Sequence, residues 1–215
     1  MVVEIMLPFF FKGEAIIKDM IYFTSDLHLG HKNIIKYCQR PYSEDEVSTR
    51  MVEDILKMFD DLPPGSTVYN LGDLWLSGFI FQKGFDGLKE IVTRMKSNNK
   101  RLILVLGNHD LYNERVLNFL GYTKDCFIDF FKDLGFDTVS EKGMILSVEG
   151  YDPIFLCHRP EDGPIGMKIF HGHIHEKSVT QSYFNEGQDL SLYYNCCLDY
   201  NKKIISLQEV LENGN

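Results

Sequence analysis

Three stretches of the chain share one pattern, in which a short apolar run breaks abruptly into a polar loop carrying Asp, Asn or His. They are "MIYFTSD" from Met20, "TVYNLGD" from Thr67 and "KRLILVLGNHD" from Lys100. The apolar runs are rich in β-branched and aromatic residues, and "LILVL" reads as a strand buried on both faces. Between them the period changes. "KNIIKYCQR" has helical spacing and stops at Pro41. In "SEDEVSTRMVEDILKMF", Val47, Met51, Ile55 and Met58 recur at helical intervals, Ser43 offers an N-cap, and acidic residues crowd the first turn. A further helix is predicted around Phe85 to Lys96. The order strand-helix-strand-helix-strand is that of an α/β layered unit.

The second half has a different rhythm. "FDTVSEKGMILSVEGYDPIFLCH", "MKIFHGHIH", "KSVTQSYF", "SLYYNCCLDY" and "KKIISL" are short strand candidates divided by Gly, Asp, Pro or Asn turns, and only "LQEVLEN" reads as a closing helix. At the other end "VVEIMLPFFF" is rich in strand formers and predicts an N-terminal strand or hairpin arm within residues 1–19, with Pro8 suiting an edge position. No linker-like stretch, repeat or low-complexity segment separates the halves. The expectation is one domain over residues 1–215, with two mixed β-sheets packed together and flanked by helices.

Composition narrows the function. The formal charge of −9 argues against a protein that grips long nucleic acid, which needs a basic face, but leaves room for small phosphate compounds handled through bound cations. Five cysteines, an odd number with no C-x-x-C spacing, point to a reduced, cytoplasmic protein. No segment approaches the roughly 20 apolar residues of a membrane span.

The histidines carry the chemistry. His28, His31, His109, His158, His171, His173 and His175 all lie at or just beyond the ends of predicted strands, several beside Gly or Asp. In open α/β sheets the carboxyl ends of strands form the ligand crevice. Residues i and i+2 of an extended segment project to one side, so Asp26 with His28, and His173 with His175, can each aim two donors at one place. Asp73 could bridge two ions with its two oxygens; Asn108 and His158 add an oxygen and a nitrogen. Gly72, Gly107 and Gly172 precede these residues and suit sharp strand exits. A donor set of imidazole and oxygen without thiolate suits Mn²⁺, Fe or Zn²⁺.

The ordered series D-x-H, GD, GNHD, H and GHxH, from Ile21 to about His175, resembles the calcineurin-like metallophosphoesterase superfamily. "SDLHLGHKNIIKYCQRPY" and the tail "NCCLDYNKKIISLQEV" are similar to its small single-domain bacterial and phage-type branch. The resemblance implies an αββα layered sandwich with a dinuclear metal centre. One ion would take Asp26, His28, Asp73 and His175; the other would take Asp73, Asn108, His158 and His173. It also implies His109 as a general acid oriented by Asp110. Hydrolysis of small phosphodiesters or phosphomonoesters would proceed by attack of a hydroxide held between the ions, with Mn²⁺ the expected metal and Fe or Zn²⁺ the alternatives. His31, Arg40 and Arg159 are candidates for substrate contact, Arg because it pairs bidentately with phosphate. Asn195 and Asp199 match polar positions of the branch's tail and suggest supporting hydrogen bonds. His171, before the family glycine, reads as a structural histidine. Two other readings remain: a nuclease with the same centre, and a non-catalytic interaction scaffold.

Overall fold

Strand-forming runs become strands in a computed structural model that describes residues 3–6, 20–47, 49–75, 81–111, 121, 126–175 and 187–212. In chain order the elements are β1 (Val3–Met6), β2 (Ile21–Thr24), α1 (Ile34–Tyr37), α2 (Arg50–Asp60), β3 (Thr67–Asn70), α3 (Phe81–Ser97), β4 (Arg101–Val105), α4 (Asn108–Leu111) and α5 (Phe127–Leu134). They continue with β5 (Thr138–Ser140), β6 (Met144–Ser147), β7 (Ile154–Leu156), β8 (Lys168–His171), β9 (Tyr193–Asn195), α6 (Leu198–Asn201), β10 (Ile205–Ser206) and α7 (Leu207–Glu212). The strand candidate "KSVTQSYF", Pro8 and the rest of the N-terminal arm beyond β1 lie outside the described residues.

Among the described residues the strands form two five-stranded mixed sheets. The first runs β10-β2-β3-β4-β5, with β2 to β5 mutually parallel and β10 antiparallel to β2. Every residue of β3 is buried, as expected of a parallel strand covered on both faces. On its outer side Val68, Leu102, Leu104 and Val139 meet Met51 and Ile55 of α2, Leu88 and Ile91 of α3, and Phe131 of α5. The stripe read in the sequence therefore does bury α2, but the helix begins at Arg50. Ser43 instead heads a separate turn, its N–H donating to Glu46 Oε2 at 2.7 Å.

The second sheet runs β1-β6-β7-β8-β9. Its inner face presents Met144, Leu146, Leu156 and Phe170 to Phe23, Tyr69 and Ile103 of the first sheet. Phe23 and Phe170 meet edge to face with centroids 4.9 Å apart, an arrangement favoured by the ring quadrupoles. Burying a large side chain of this kind contributes about 1.5–3 kcal/mol, so the seam holds the two sheets in one fixed relation. Cys157 points the other way, into a small outer cluster with Phe155, Ile169 and Tyr193. The result is an α/β fold of two mixed sheets flanked by helices, with α7 closing the inter-sheet core through Leu207 and Val210. No helix among the described residues is long and apolar enough to cross a membrane.

Candidate metal centre

The parallel order of β2, β3 and β4 puts their carboxyl ends along one rim, and the parallel pair β7–β8 brings two more loops to it. The first two loops stay in register after the strands end: Asp26 N–H donates to Gly72 O at 2.9 Å and His28 N–H to Asp73 O at 3.0 Å. The backbone there is not extended. Asp26 (φ 58°), His28 (50°), Asp73 (55°), His173 (73°) and His175 (53°) are all left-handed. This replaces the i, i+2 alternation expected from the sequence. Left-handed backbone costs a non-glycine residue about 1–2 kcal/mol, so strain is concentrated where these loops turn. Close approach explains two glycines. A Cβ on Gly107 would overlap the Asp73 carboxylate, and one on Gly172 would overlap Ser25 Oγ.

The predicted donors come together in two groups: Asp26, His28 and His175, and Asp73, His158 and His173, the donor atoms of each lying within 4.8 Å of one another. His173 and His175 thus divide between the groups, as the resemblance implied, and do not aim at one place as strand alternation suggested. Asp26 Oδ1 is 3.7 Å from both His28 Nε2 and His175 Nε2. Asp73 Oδ2 is 3.7 Å from His28 Nε2 and 3.4 Å from His158 Nε2, between the groups. Only this one oxygen is shared; Asp73 Oδ1 accepts the N–H of His109 at 2.8 Å. Asn108 Oδ1 lies 3.1 Å from His158 Nε2.

The donors fit a pair of divalent cations. Most of these spacings exceed a hydrogen bond yet suit donors facing a common ion. Asp26 Oδ1 and both ring nitrogens of His28 are buried and have no hydrogen-bond partner among the described residues, a costly state unless a ligand satisfies them. Burial alone would raise the Asp26 and Asp73 carboxyls, but the surrounding imidazoles hold both below the usual carboxylate range. Burial disfavours a charged His158, yet the adjacent Asp73 carries its pKa up to about 9. A cation at this ring therefore competes with a proton.

Behind the donors stands a layer of orienting bonds. His158 Nδ1 is 2.7 Å from Leu71 O, and His175 Nδ1 is 2.8 Å from Asp199 Oδ2, which leaves each Nε2 for the site. Burial would raise the Asp199 carboxyl, but hydrogen bonds from His175 and Arg40 outweigh it and hold the pKa at about 2. Asn195 Nδ2 donates to His175 O at 2.8 Å, so both tail residues support the site as expected. Cys38 joins His175 and Asp199 in a further cluster on this outer side.

Two candidates make contacts other than those expected of them. The Arg40 guanidinium is taken up by protein groups. It is buried, donates from Nε and Nη2 to both Asp199 oxygens at 2.7 and 2.9 Å, and reaches Leu27 O and Asp26 O at 2.8 and 2.7 Å. The guanidinium is spent on bracing the first loop against the tail. Asp110 does not orient the His109 ring either. Its carboxylate accepts the main-chain N–H groups of Asp73, Leu74 and Gly107 at 2.8, 3.0 and 2.9 Å. Burial, reinforced by the charge of Asp73, pushes its pKa up to about 7.

His109 stands at the open side, its side chain 32% exposed and Nε2 3.9 Å from Asp73 Oδ2. His31 lies beside it, ring centroids 6.0 Å apart, and burial lowers its pKa to about 4. Arg159 is partly exposed, with Nη1 3.7 Å from Glu161 Oε1. His171 is fully buried behind the site, with Nδ1 2.9 Å from Gly172 O. One contributor escaped sequence reasoning: the Cys197 thiol donates to Asp26 Oδ2 at 3.0 Å. The only signal for it was its place between Asn195 and Asp199.

Comparison with known proteins agrees with this geometry. The chain is 36% identical over 105 residues to the uncharacterized protein MJ1445 of Methanocaldococcus jannaschii, a match over 47% of this chain and 54% of that protein. The match thus spans about half of that relative's length. The crystal structure of the protein of unknown function AQ665 from Aquifex aeolicus shares the fold, with a TM-score of 0.56 and 24% identity, covering 90% of this chain and 98% of that one. The family model of the calcineurin-like phosphoesterases matches residues 20–195, which include all seven candidate metal donors. The chain belongs to the calcineurin-like phosphoesterase family.

Proposed function

We propose that this chain is a metal-dependent phosphoesterase hydrolysing small phosphodiesters or phosphomonoesters. In this reading Asp26, His28, Asp73 and His175 hold one divalent ion, and Asp73, Asn108, His158 and His173 hold the other. The observation that carries it is the convergence of Asp26 Oδ1, His28 Nε2, His175 Nε2 and Asp73 Oδ2 at spacings of 3.7 Å, with buried donors otherwise unsatisfied. When bound, two divalent ions polarise phosphoryl oxygens and lower the pKa of water so that hydroxide is available near neutral pH.

The chain's own residues do the rest. Asp73 supplies negative charge shared by both ion places. His109, on the open side, donates a proton to the leaving oxygen, a contribution of about 10²- to 10⁴-fold. Burial holds its pKa below the ordinary value, so the ring takes up its proton from solvent, which the negative charge of a bound phosphoester favours, before giving it to the leaving oxygen. His31 and Arg159 line the approach, Arg159 as the phosphate contact. Asp110 acts by holding the loops of Asp73 and Gly107.

Mn²⁺ is the metal we favour, because imidazole, carboxylate and amide donors suit it and no thiolate is among them. The same reading places one domain in the reducing cytoplasm, within the small bacterial and phage-type branch. The tail "NCCLDYNKKIISLQEV" and the free thiols of Cys157, Cys196 and Cys197 support it. The test is turnover of bis(p-nitrophenyl) phosphate, p-nitrophenyl phosphate and single-stranded DNA by Mn²⁺-loaded protein. Small esters should be cleaved and DNA spared. Faster cleavage of DNA would favour a nuclease, and two bound ions without turnover would favour a scaffold.

A further inference from the structure

Asp26 divides its carboxylate between protein and site. Oδ2 accepts the main-chain N–H of His173 at 3.0 Å and the thiol of Cys197 at 3.0 Å. Oδ1 is left buried, facing His28 Nε2 and His175 Nε2. The terminal torsion of an aspartate is broad and roughly two-fold, so donors gathered on one oxygen decide which oxygen turns inward.

A thiol is ordinarily a weak donor. Two other buried thiol contacts are correspondingly long: Cys157 Sγ lies 4.0 Å from Phe170 O and Cys196 Sγ 3.8 Å from Tyr194 O. Cys197 Sγ is much closer to its acceptor, which is a fully buried carboxylate. Its backbone is anchored too. Cys197 N–H donates to Asn195 Oδ1 at 2.9 Å, and an isolated bridge ties the residue to Ser25, next to Asp26. The Asp26 carboxylate offers only acceptor oxygens, so the thiol is the donor of this contact.

We propose that Cys197 is a positioning residue of the metal centre: its S–H holds Asp26 Oδ2 so that Oδ1 is presented to the ion shared with His28 and His175. The inference rests on the metal-centre reading above. The effect falls chiefly on one of the two ion places: Asp73 and His158 are oriented by Leu71 O, Asp110 and His109 N–H, and of the second group only the main chain of His173 reaches Asp26 Oδ2.

The test is calorimetric titration of Mn²⁺ into chelator-stripped, full-length protein, comparing the parent with Cys197→Ala, Cys197→Val and Cys197→Ser. The parent should take up two ions. Losing a weak donor to a charged acceptor places the expected effect near tenfold, about 1.4 kcal/mol. Cys197→Ala and Cys197→Val should therefore bind one ion about tenfold more weakly and the other within twofold of the parent. Cys197→Ser, which keeps a donor, should recover most of the loss. Val fills the space without donating, so the inference can still be judged if Ala opens a destabilising void. Parent-like affinities in both the Ala and Val variants overturn the inference while leaving the two-ion centre standing, as does a Ser variant as weak as Ala. A parent that takes up no divalent ion overturns the metal-centre reading itself, and this inference with it.

Discussion

Around Asp26, His28 and His175 the bracing comes from buried side chains drawn from distant parts of the chain, whereas around Asp73, Asn108, His158 and His173 it comes largely from the main chain. Arg40, Asn195, Cys197 and Asp199 serve the first group. Leu71 O, the N–H of His109 and the amides gathered by Asp110 serve the second. The second group is complete once β3, β4, β7 and β8 are in register. The first also needs the turn at 195–199 to fold back, and Cys197 and Asp199 lie beyond the segment matched by the family model. One site thus joins a rim built by sheet topology to a rim built by long-range polar contacts.

Variants that strike both groups, neither, or only one put this contrast to the test. Asp73→Asn strikes both, because Asp73 Oδ2 lies between them. Metal content and hydrolysis should fall together by more than the roughly 10- to 100-fold typical of an outer orienting residue, read by metal analysis beside ester turnover. His109→Ala strikes neither. Turnover should drop about 10²- to 10⁴-fold while both ions remain bound, and loss of metal with activity would refute the proton-donor role. Arg40→Ala strikes the first group through its brace. It takes the guanidinium from the buried Asp199 carboxylate and leaves His175 as its remaining partner; losing one partner of a buried ion pair costs up to about 3–5 kcal/mol, measurable by urea denaturation, and one ion should weaken. Arg40→Lys should recover part of this, since it keeps the charge without the bidentate fork. The smallest change is Asp199→Asn, expected to weaken one ion by about 10- to 100-fold and leave the other untouched. Equal weakening of both ions in the Arg40 or Asp199 variants would erase the distinction between the two groups.

The rim built by topology was the legible one. "TVYNLGD" and "KRLILVLGNHD" announce strand and loop together, since an apolar run buried on both faces must end where polar donors begin. Asp73, Asn108, His158 and His173 stand where that pattern puts them. For the other rim the donors Asp26, His28 and His175 were equally visible, but their supports were not. Arg40 reads as a phosphate contact until its fork is seen on Asp199, a residue 159 positions away. Cys197 gave no sign of its chemistry, because a buried thiol is usually only a small hydrophobe. The left-handed turns at Asp26, His28, Asp73, His173 and His175 were also hidden. Nothing in a residue's type announces strain that surrounding contacts impose. Ser43 misled for the opposite reason: a valid local turn signal precedes the helix without capping it.

By itself, then, the sequence determined the α/β class, most of the strand positions, the seven candidate donors and the expectation of a phosphoester-handling metal centre. The class, the strands and the donors follow from periodicity and local turn chemistry, which neighbouring residues carry; the phosphoester expectation follows from the resemblance of the ordered motifs to a known family. The tertiary structure alone decided that Asp73 turns one oxygen between the two groups, and that Arg40, Asp110 and Cys197 contact the donor loops from behind. Those outcomes depend on which side chains meet across the seam between two sheets, and short-range pattern holds no record of such meetings.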